Sequence, residues 1–305
     1  MFCTVSSFRP GALLAALLML PAFAQGQYTL TTNNGTITIA NYVGTNGGAI
    51  VIPSVTNGLP VTSIGPNAFS YYLYNGNITS VVIPNSVTNI GQDAFASCNN
   101  MTNVTIPGSV GSIGPGAFSS CQKLNKVTIG NGLTAIGTNM FSDCDSLHSI
   151  TLPNSVTDIG QQAFSSTGLT NIIIPGSVTT IESQAFSLAY GLTAAYFLGN
   201  APSVGSGAFE VNSMTVYYQS FTTGWSNTYS GWPTATWIPP LPAIGISTYS
   251  NQPVVFFPVT MIGTNFQVQM STNLASSNWV AVTNGISFIG VQISNAPSPA
   301  FFRIQ

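Results

Sequence analysis

The chain carries one histidine, His148, and it falls close in sequence to Asp143, Asp145 and Asp158. An imidazole beside carboxylates can hold a metal, or act as a base whose orientation a carboxylate fixes. These acids, however, stand at variable positions of otherwise repeating stretches, where other copies carry Ser, Asn or Gln. Catalysis needs groups that converge in a concave site. No metal ligand and no catalytic residue is expected here. Glu182 and Glu210 sit in separate turns, which gives no sign of the paired carboxylates an exported hydrolase would normally show. No glycine-rich phosphate loop appears, so no cofactor is expected.

Cysteine is the other reactive type. Cys3 lies near the N-terminus, while Cys98, Cys121 and Cys144 recur at intervals of 23, each three residues after a Phe. Equal offsets make a ladder of equivalent positions, filled elsewhere by Tyr72, Thr167 and Ala189. A free Cys behaves as a small hydrophobe, so buried, idle thiols are expected under a turn. Stacked backbones would also come within disulfide range, and one bridge remains open in an oxidising compartment. Zinc would want a fourth ligand, and none recurs nearby.

The elements that must position these residues are repeats. Ile-x-x-x-Ala-Phe cores occur at Ile64…Phe69, Ile90…Phe95, Ile113…Phe118, Ile159…Phe164 and Ile181…Phe186, with Val204…Phe209 and Ile136…Met140-Phe141 as variants. Successive anchors lie 26, 23, 23, 23, 22 and 23 residues apart. A fixed period of this size means a solenoid in which each unit buries its apolar face against its neighbours. Each unit begins with a short alternating run: Ile50-Val51-Ile52, Val81-Val82-Ile83, Val104-Thr105-Ile106, Val127-Thr128-Ile129, Ile150-Thr151-Leu152, Ile172-Ile173-Ile174. Alternation of β-branched residues predicts a strand with one face inward, ended by Pro or Gly. The second half is too short for a stable helix and predicts a short extended piece, then a tight turn or 3₁₀ segment around Ala-Phe. The phenylalanines then form a buried column.

Asn34-Gly35, between Tyr28–Asn33 and Thr36–Ile39, is a strong hairpin signal, and solenoids need such a cap. At the far end Phe221, Trp225, Tyr229, Trp232 and Trp237 crowd one stretch before Pro239-Pro240-Leu241-Pro242. This run reads as a terminal cap and linker, or alternatively as a sugar-stacking platform. From about 243 onward, short strands predict a small β-sandwich: Val254–Phe257, Phe266–Met270, Trp279–Val282, Ile286–Phe288, Val291–Ile293 and Phe301–Ile304.

Arg9, the run Ala12–Leu20 and then Ala22-Phe23-Ala24 give residues 1–24 the form of a cleaved signal peptide. Its apolar run is short of the ~20 residues a span needs. The protein is therefore expected to be secreted or at the cell surface, with no integral membrane segment after cleavage. Only 3% of residues are charged, and Lys123 and Lys126 are the only close cationic pair. That excludes nucleic acid, which is bound by clustered Lys and Arg. A content of 45% hydrophobic residues excludes disorder.

The units, written Leu-x-x-Val-x-Ile-Pro-x-x-Val-x-x-Ile-Gly-x-x-Ala-Phe-x-x-Cys, resemble the BspA-like, or type 5, leucine-rich repeat of bacterial surface proteins over roughly residues 50–215. The resemblance implies a mainly β fold: a right-handed solenoid with one parallel strand per ~23-residue repeat. It also implies surface or secreted proteins used in adhesion and recognition. The first repeat departs from the pattern with an inserted Tyr71-Tyr72-Leu73-Tyr74, and the last ends in Met214–Tyr218 without Pro. The C-terminal stretch looks like a module that often follows such repeats in exported bacterial proteins.

The expected organisation is a signal peptide at 1–24, a capping hairpin at 25–49, a solenoid at 50–218, a Trp-rich cap and Pro linker at 219–242, and a β-sandwich-like module at 243–305. The expected function is non-catalytic binding or adhesion toward a protein or glycan. The alternative is a carbohydrate-associated accessory protein, or a weak hydrolase using the Trp-rich segment or C-terminal module. The middle residue of each strand, Val82, Thr105, Thr128, Thr151, Ile173 and Tyr196, should point outward and form one partner-binding row. Thr is also simply a good strand former on a solvated face.

Overall fold

In the computed structural model, residues 27–44, 47–70, 77–211 and 213–237 are described in full, followed by the backbone of six strands between 245 and 304. The signal-peptide reading, the Tyr71–Tyr74 insertion, the Pro linker and the Ile286–Phe288 strand lie outside the described residues. The chain divides into two units after Trp237. The first is a solenoid of about eight turns built from strands and turns, with no helix among the described residues.

Every turn of the solenoid has three parts. The longer strands stack in parallel on one side: Gly48–Val51, Ile78–Val82, Asn103–Ile106 and Lys126–Ile129 form one sheet, and Asn171–Ile174, Ala194–Phe197, Thr215–Tyr218 and Trp232–Thr236 form another. Two-residue strands at the Ile anchors stack on a second side, again as two sheets, with Asn89–Ile90 and Ser112–Ile113 in one and Ala135–Ile136, Asp158–Ile159, Thr180–Ile181 and Ser203–Val204 in the other. The third part is the Ala-Phe segment, which forms tight turns rather than a 3₁₀ helix.

These turns need positive φ twice per repeat. Asn67, Asp93, Gly116, Asn139, Gln162, Gln184 and Gly207 precede Ala (or Met140) with φ of 52–65°, and Ser97, Ser120, Asp143, Ser166 and Leu188 follow Phe with φ of 54–59°. Gly, Asn and Asp tolerate that region best, which explains their frequency just before Ala-Phe. Consecutive turns are bonded to each other through the backbone, as in Phe95 N–H to Ala117 O at 2.8 Å and Phe118 N–H to Met140 O at 3.1 Å.

The phenylalanine column exists as expected. Phe69, Phe95, Phe118, Phe141, Phe164, Phe186 and Phe209 are at most 3% exposed. Adjacent rings are parallel within 3–17°, with centroids 4.9–5.7 Å apart. Tyr42 continues the column at one end, 5.5 Å from Phe69, and Tyr229 closes the other, 6.4 Å from Phe209.

Both ends are sealed. The Asn34-Gly35 hairpin joins Tyr28–Asn33 to Thr36–Tyr42, and the second strand adds in parallel to Leu59–Ile64. At the other end Thr228–Tyr229 and Trp232–Thr236 form a hairpin through Ser230-Gly231, both at positive φ. Trp232 Nε1 donates to Phe209 O at 2.8 Å, Tyr229 O–H donates to Pro202 O at 3.0 Å, and Trp225 stacks on Tyr218 at 5.0 Å. The Trp-rich stretch thus packs on the last turns, as a cap does.

One expected strand is not formed. Ile150-Thr151-Leu152 contributes a single bridge, Thr151 to Ile173, and no ladder joins it to Lys126–Ile129. The short-strand side breaks nearby, between Ser112–Ile113 and Ala135–Ile136. Side-chain links between turns also thin out in this region. Elsewhere a Thr or Ser hydroxyl donates to the carbonyl one turn back, as in Thr88 to Thr62, Thr102 to Thr79 and Thr193 to Thr170, at 3.2–3.3 Å. Gly111 holds that position on the short-strand side, and Asn125 and His148 hold it on the long-strand side. The backbone ladder does not follow the hydroxyls, however: Ser112–Ile113 pairs with Asn89–Ile90 despite Gly111, and Lys126–Ile129 pairs with Asn103–Ile106 despite Asn125.

The second unit contains two three-stranded antiparallel sheets. One is Gly245–Tyr249, Gln252–Phe256 and Gly290–Gln292; the other is Val280–Asn284, Gln267–Ser271 and Phe301–Ile304. Gly245–Tyr249 is a strand that the sequence reading did not include.

Candidate binding face

The outward residues of the longer strands meet in register. Val51 pairs with Val82, Val82 with Thr105, and Thr105 with Thr128. Beyond the break, Thr151 pairs with Ile173, Ile173 with Tyr196, and Tyr196 with Tyr217. Val82, Thr105, Thr128, Thr151 and Ile173 are exposed. Tyr196 is only half-buried rather than exposed, because Tyr217 stacks on it at 4.9 Å and Trp237 leans on it at 4.8 Å. The expected single row is therefore two aligned segments, interrupted between Thr128 and Thr151.

Period-two geometry gives the same face a second row, two residues earlier: Ser80, Asn103, Lys126, Ser149 and Asn171. Asn103 is in register with Ser80 and with Lys126. Asn103 Nδ2 donates to Thr102 Oγ1 at 3.1 Å, and Asn171 Nδ2 donates to Thr170 Oγ1 at 3.2 Å. Each amide thus keeps its carbonyl free to accept. Sequence reasoning missed this row because it followed one outward position per strand. A shallow concavity of ≈ 420 Å³ opens on this face, lined by Asn103, Val104, Thr105, Asn125, Lys126 and Thr128.

The chemically suggestive residues stay apart. His148 Nδ1 lies 2.6 Å from Ser146 O, so that nitrogen carries the proton. Asp143 sits in a positive-φ turn beside Phe141, whereas Asp158 belongs to the short-strand side and accepts from Thr157 Oγ1 at 2.6 Å. Glu182 Oε2 accepts from Gln161 N–H at 2.8 Å, tying one turn to the next. Among the described residues no group of three or more His, Cys, Asp or Glu gathers as metal ligands do.

The three cysteines are free and fully buried. Each thiol points one turn back: Cys98 to Phe69 O at 3.2 Å, Cys121 to Phe95 O at 3.2 Å, Cys144 to Phe118 O at 3.3 Å. Burial pushes Cys98 up to about 12 and raises Cys121 and Cys144 well above the ordinary thiol range. Reactivity follows the thiolate, which this environment disfavours.

Residues 62–193 match the family model described as a BspA type leucine rich repeat region, in six copies. The chain belongs to the BspA-type leucine-rich repeat family. A leucine rich cell surface protein of Faecalibacterium prausnitzii is 30% identical, over 64% of this chain and 69% of that one, with a TM-score of 0.46. A leucine rich repeat protein of T. pallidum is 27% identical, over 63% and 90%, with a TM-score of 0.43. One from Bacteroides ovatus is 22% identical, over 69% and 74%, with a TM-score of 0.32. No curated protein matches the sequence. Among the described residues no helix is long and apolar enough to cross a membrane.

Proposed function

We propose that this BspA-type repeat protein is an exported, non-catalytic binding protein that holds a protein or glycan partner at the cell surface or outside the cell. The observation that carries the reading is the two-row outward face of the long strands, with Val82, Thr105, Thr128, Thr151, Ile173 and Tyr196 along one row. An extended face of hydroxyls and amides with apolar ends suits a large partner making many contacts. A small-molecule site, by contrast, encloses its ligand in a deep and mostly apolar pocket. The dispersal of His148 and the acids supports a role without catalysis, and the form of residues 1–24 supports export. Scarce cations argue against nucleic acid.

The test is the double change Thr128→Lys/Thr151→Lys in the full chain. Both side chains are exposed, so the circular dichroism spectrum and the thermal midpoint should be unchanged. Capture of the partner, read by whole-cell adhesion and by a glycan array, should fall. Binding that persists in this variant but disappears on truncation after Pro240 would move the site to the C-terminal unit.

A further inference from the structure

The concavity on the outward face differs chemically from the rest of it. In the long-strand position of Lys126, neighbouring turns carry Ser80, Asn103, Ser149 and Asn171, so Lys126 is the one cation in either row. Among the described residues its Nζ has no hydrogen-bond or ion-pair partner, whereas Lys123, three residues earlier, donates to Asn100 Oδ1 at 2.8 Å. Neither row contains a carboxylate. An exposed ammonium among uncharged groups can pair with an anion through a charge-assisted hydrogen bond.

Its surroundings specify which kind of anion. Thr105 and Thr128 bring two hydroxyls, and Asn125 brings an amide. Asn103, with its Nδ2 committed to Thr102, adds an outward carbonyl acceptor. Val104 turns its side chain into the core, being 1% exposed, so the concavity holds no apolar anchor. Protein interfaces concentrate their energy in aromatic or aliphatic anchors seated in pockets. Hydroxyl donors and acceptors flanking a single cation instead match a polyol that carries a carboxylate. We infer that the Lys126 concavity is a subsite for one uronic-acid unit of an acidic polysaccharide. The carboxylate lies on Lys126 Nζ, and the ring hydroxyls lie on Asn103, Thr105, Asn125 and Thr128. This deepens the binding-face reading and rests on it.

The probe is a defined galacturonate oligosaccharide, titrated calorimetrically into the full chain beside its methyl ester, the neutral galactose oligosaccharide of equal length, and poly-L-glutamate. The free acid should bind, and the ester and the neutral sugar should bind about tenfold more weakly, the weight of one charge-assisted hydrogen bond. Lys126→Gln should erase that preference, while Lys123→Gln should keep it. Absence of free-acid binding, equal binding of the ester, or equal loss in the two lysine variants would overturn the assignment. So would polyglutamate binding more tightly than the sugar with the same dependence on Lys126. If the subsite fails while partner capture still falls in Thr128→Lys/Thr151→Lys, only the uronate assignment is lost. If that double variant also leaves capture intact, the face itself is not the site.

Discussion

Phe118 is the sharpest place to test what holds the stack together. Its ring is completely buried, 5.2 Å from Phe95 and 5.7 Å from Phe141, and parallel to both within 4° and 15°. Truncation to Ala removes its apolar contacts and leaves a cavity that two rigid turns cannot close, a loss of about 3–5 kcal/mol. Leu keeps most of the volume and forfeits the two ring pairs, each worth about 0.5–1.5 kcal/mol. Phe118→Leu should therefore cost roughly 1–3 kcal/mol by that account, clearly less than Phe118→Ala. Because each turn touches only its neighbours, a weakened centre also uncouples the two ends. Urea unfolding followed by tyrosine and tryptophan fluorescence reads both effects, since Tyr42 caps one end of the column and Trp225 and Trp232 lie at the other. Phe118→Ala should lower the midpoint and split the transition. The same change at Phe209, the column's last ring, faces the tilted Tyr229 on one side and should cost less. A Phe118→Ala variant that unfolds in one step, within about 1 kcal/mol of the native protein, would refute a load shared through the rings.

Two further predictions concern the turns. Cys98 is raised to about 12 from 9.0, and Cys121 and Cys144 are also raised, so the folded protein favours neutral thiols. Their stabilisation is complete below pH 9 and declines above it, as the unfolded chain ionises first, by about 1 kcal/mol for each thiol between pH 9 and 10. Chemical denaturation between pH 9 and 10 should show this slope, and the Cys98→Ala/Cys121→Ala/Cys144→Ala variant should flatten it; labelling of the native thiols should be slow. Gln162 holds φ of 55°, so Gln162→Gly should raise the thermal midpoint by relieving a conformation that costs other residues about 1–2 kcal/mol. The reverse change Gly116→Ala should lower it, because Gly116 holds a φ of 65° that a residue with a Cβ adopts only under strain.

Much of this architecture was legible because every turn solves the same burial problem. Ile, Ala and Phe recur where the side chain must be enclosed, and the Cys ladder followed from its offset alone. Asn34-Gly35 announced its hairpin, yet Asn57-Gly58 and Ser230-Gly231 make hairpins by the same chemistry and were passed over. Within a repeat those dipeptides look like ordinary punctuation. The ladder breaks were invisible in the anchors, which keep their spacing of 23 straight through them. Loss of Thr at residues 111, 125 and 148 does not mark them either, because the strands after Gly111 and Asn125 still pair with the turn before. Half of the outward face was missed for a plainer reason. A strand of four residues presents two side chains to each face, and only one had been followed.

A repeat array separates residues that serve the stack from residues that serve something else, since the stack asks the same of each turn. Uniqueness alone is a poor guide, however. His148 is unique in its column, but its Nδ1 is spent on Ser146 O, and Asp143 belongs to a different part of the turn. Lys126 is also unique in its column, and in addition it faces outward, stands in register with Asn103, and borders a concavity beside the break in the ladder. The neighbouring turns that lack the Thr link are those that carry Asn125-Lys126 and His148-Ser149. Giving up that link frees two adjacent positions for other side chains, and the loss remains local because the Phe-turn ladder runs unbroken past it. A departure from the repeat can persist where the stack tolerates it, and it points to function only where its side chains share a face and have no structural partner.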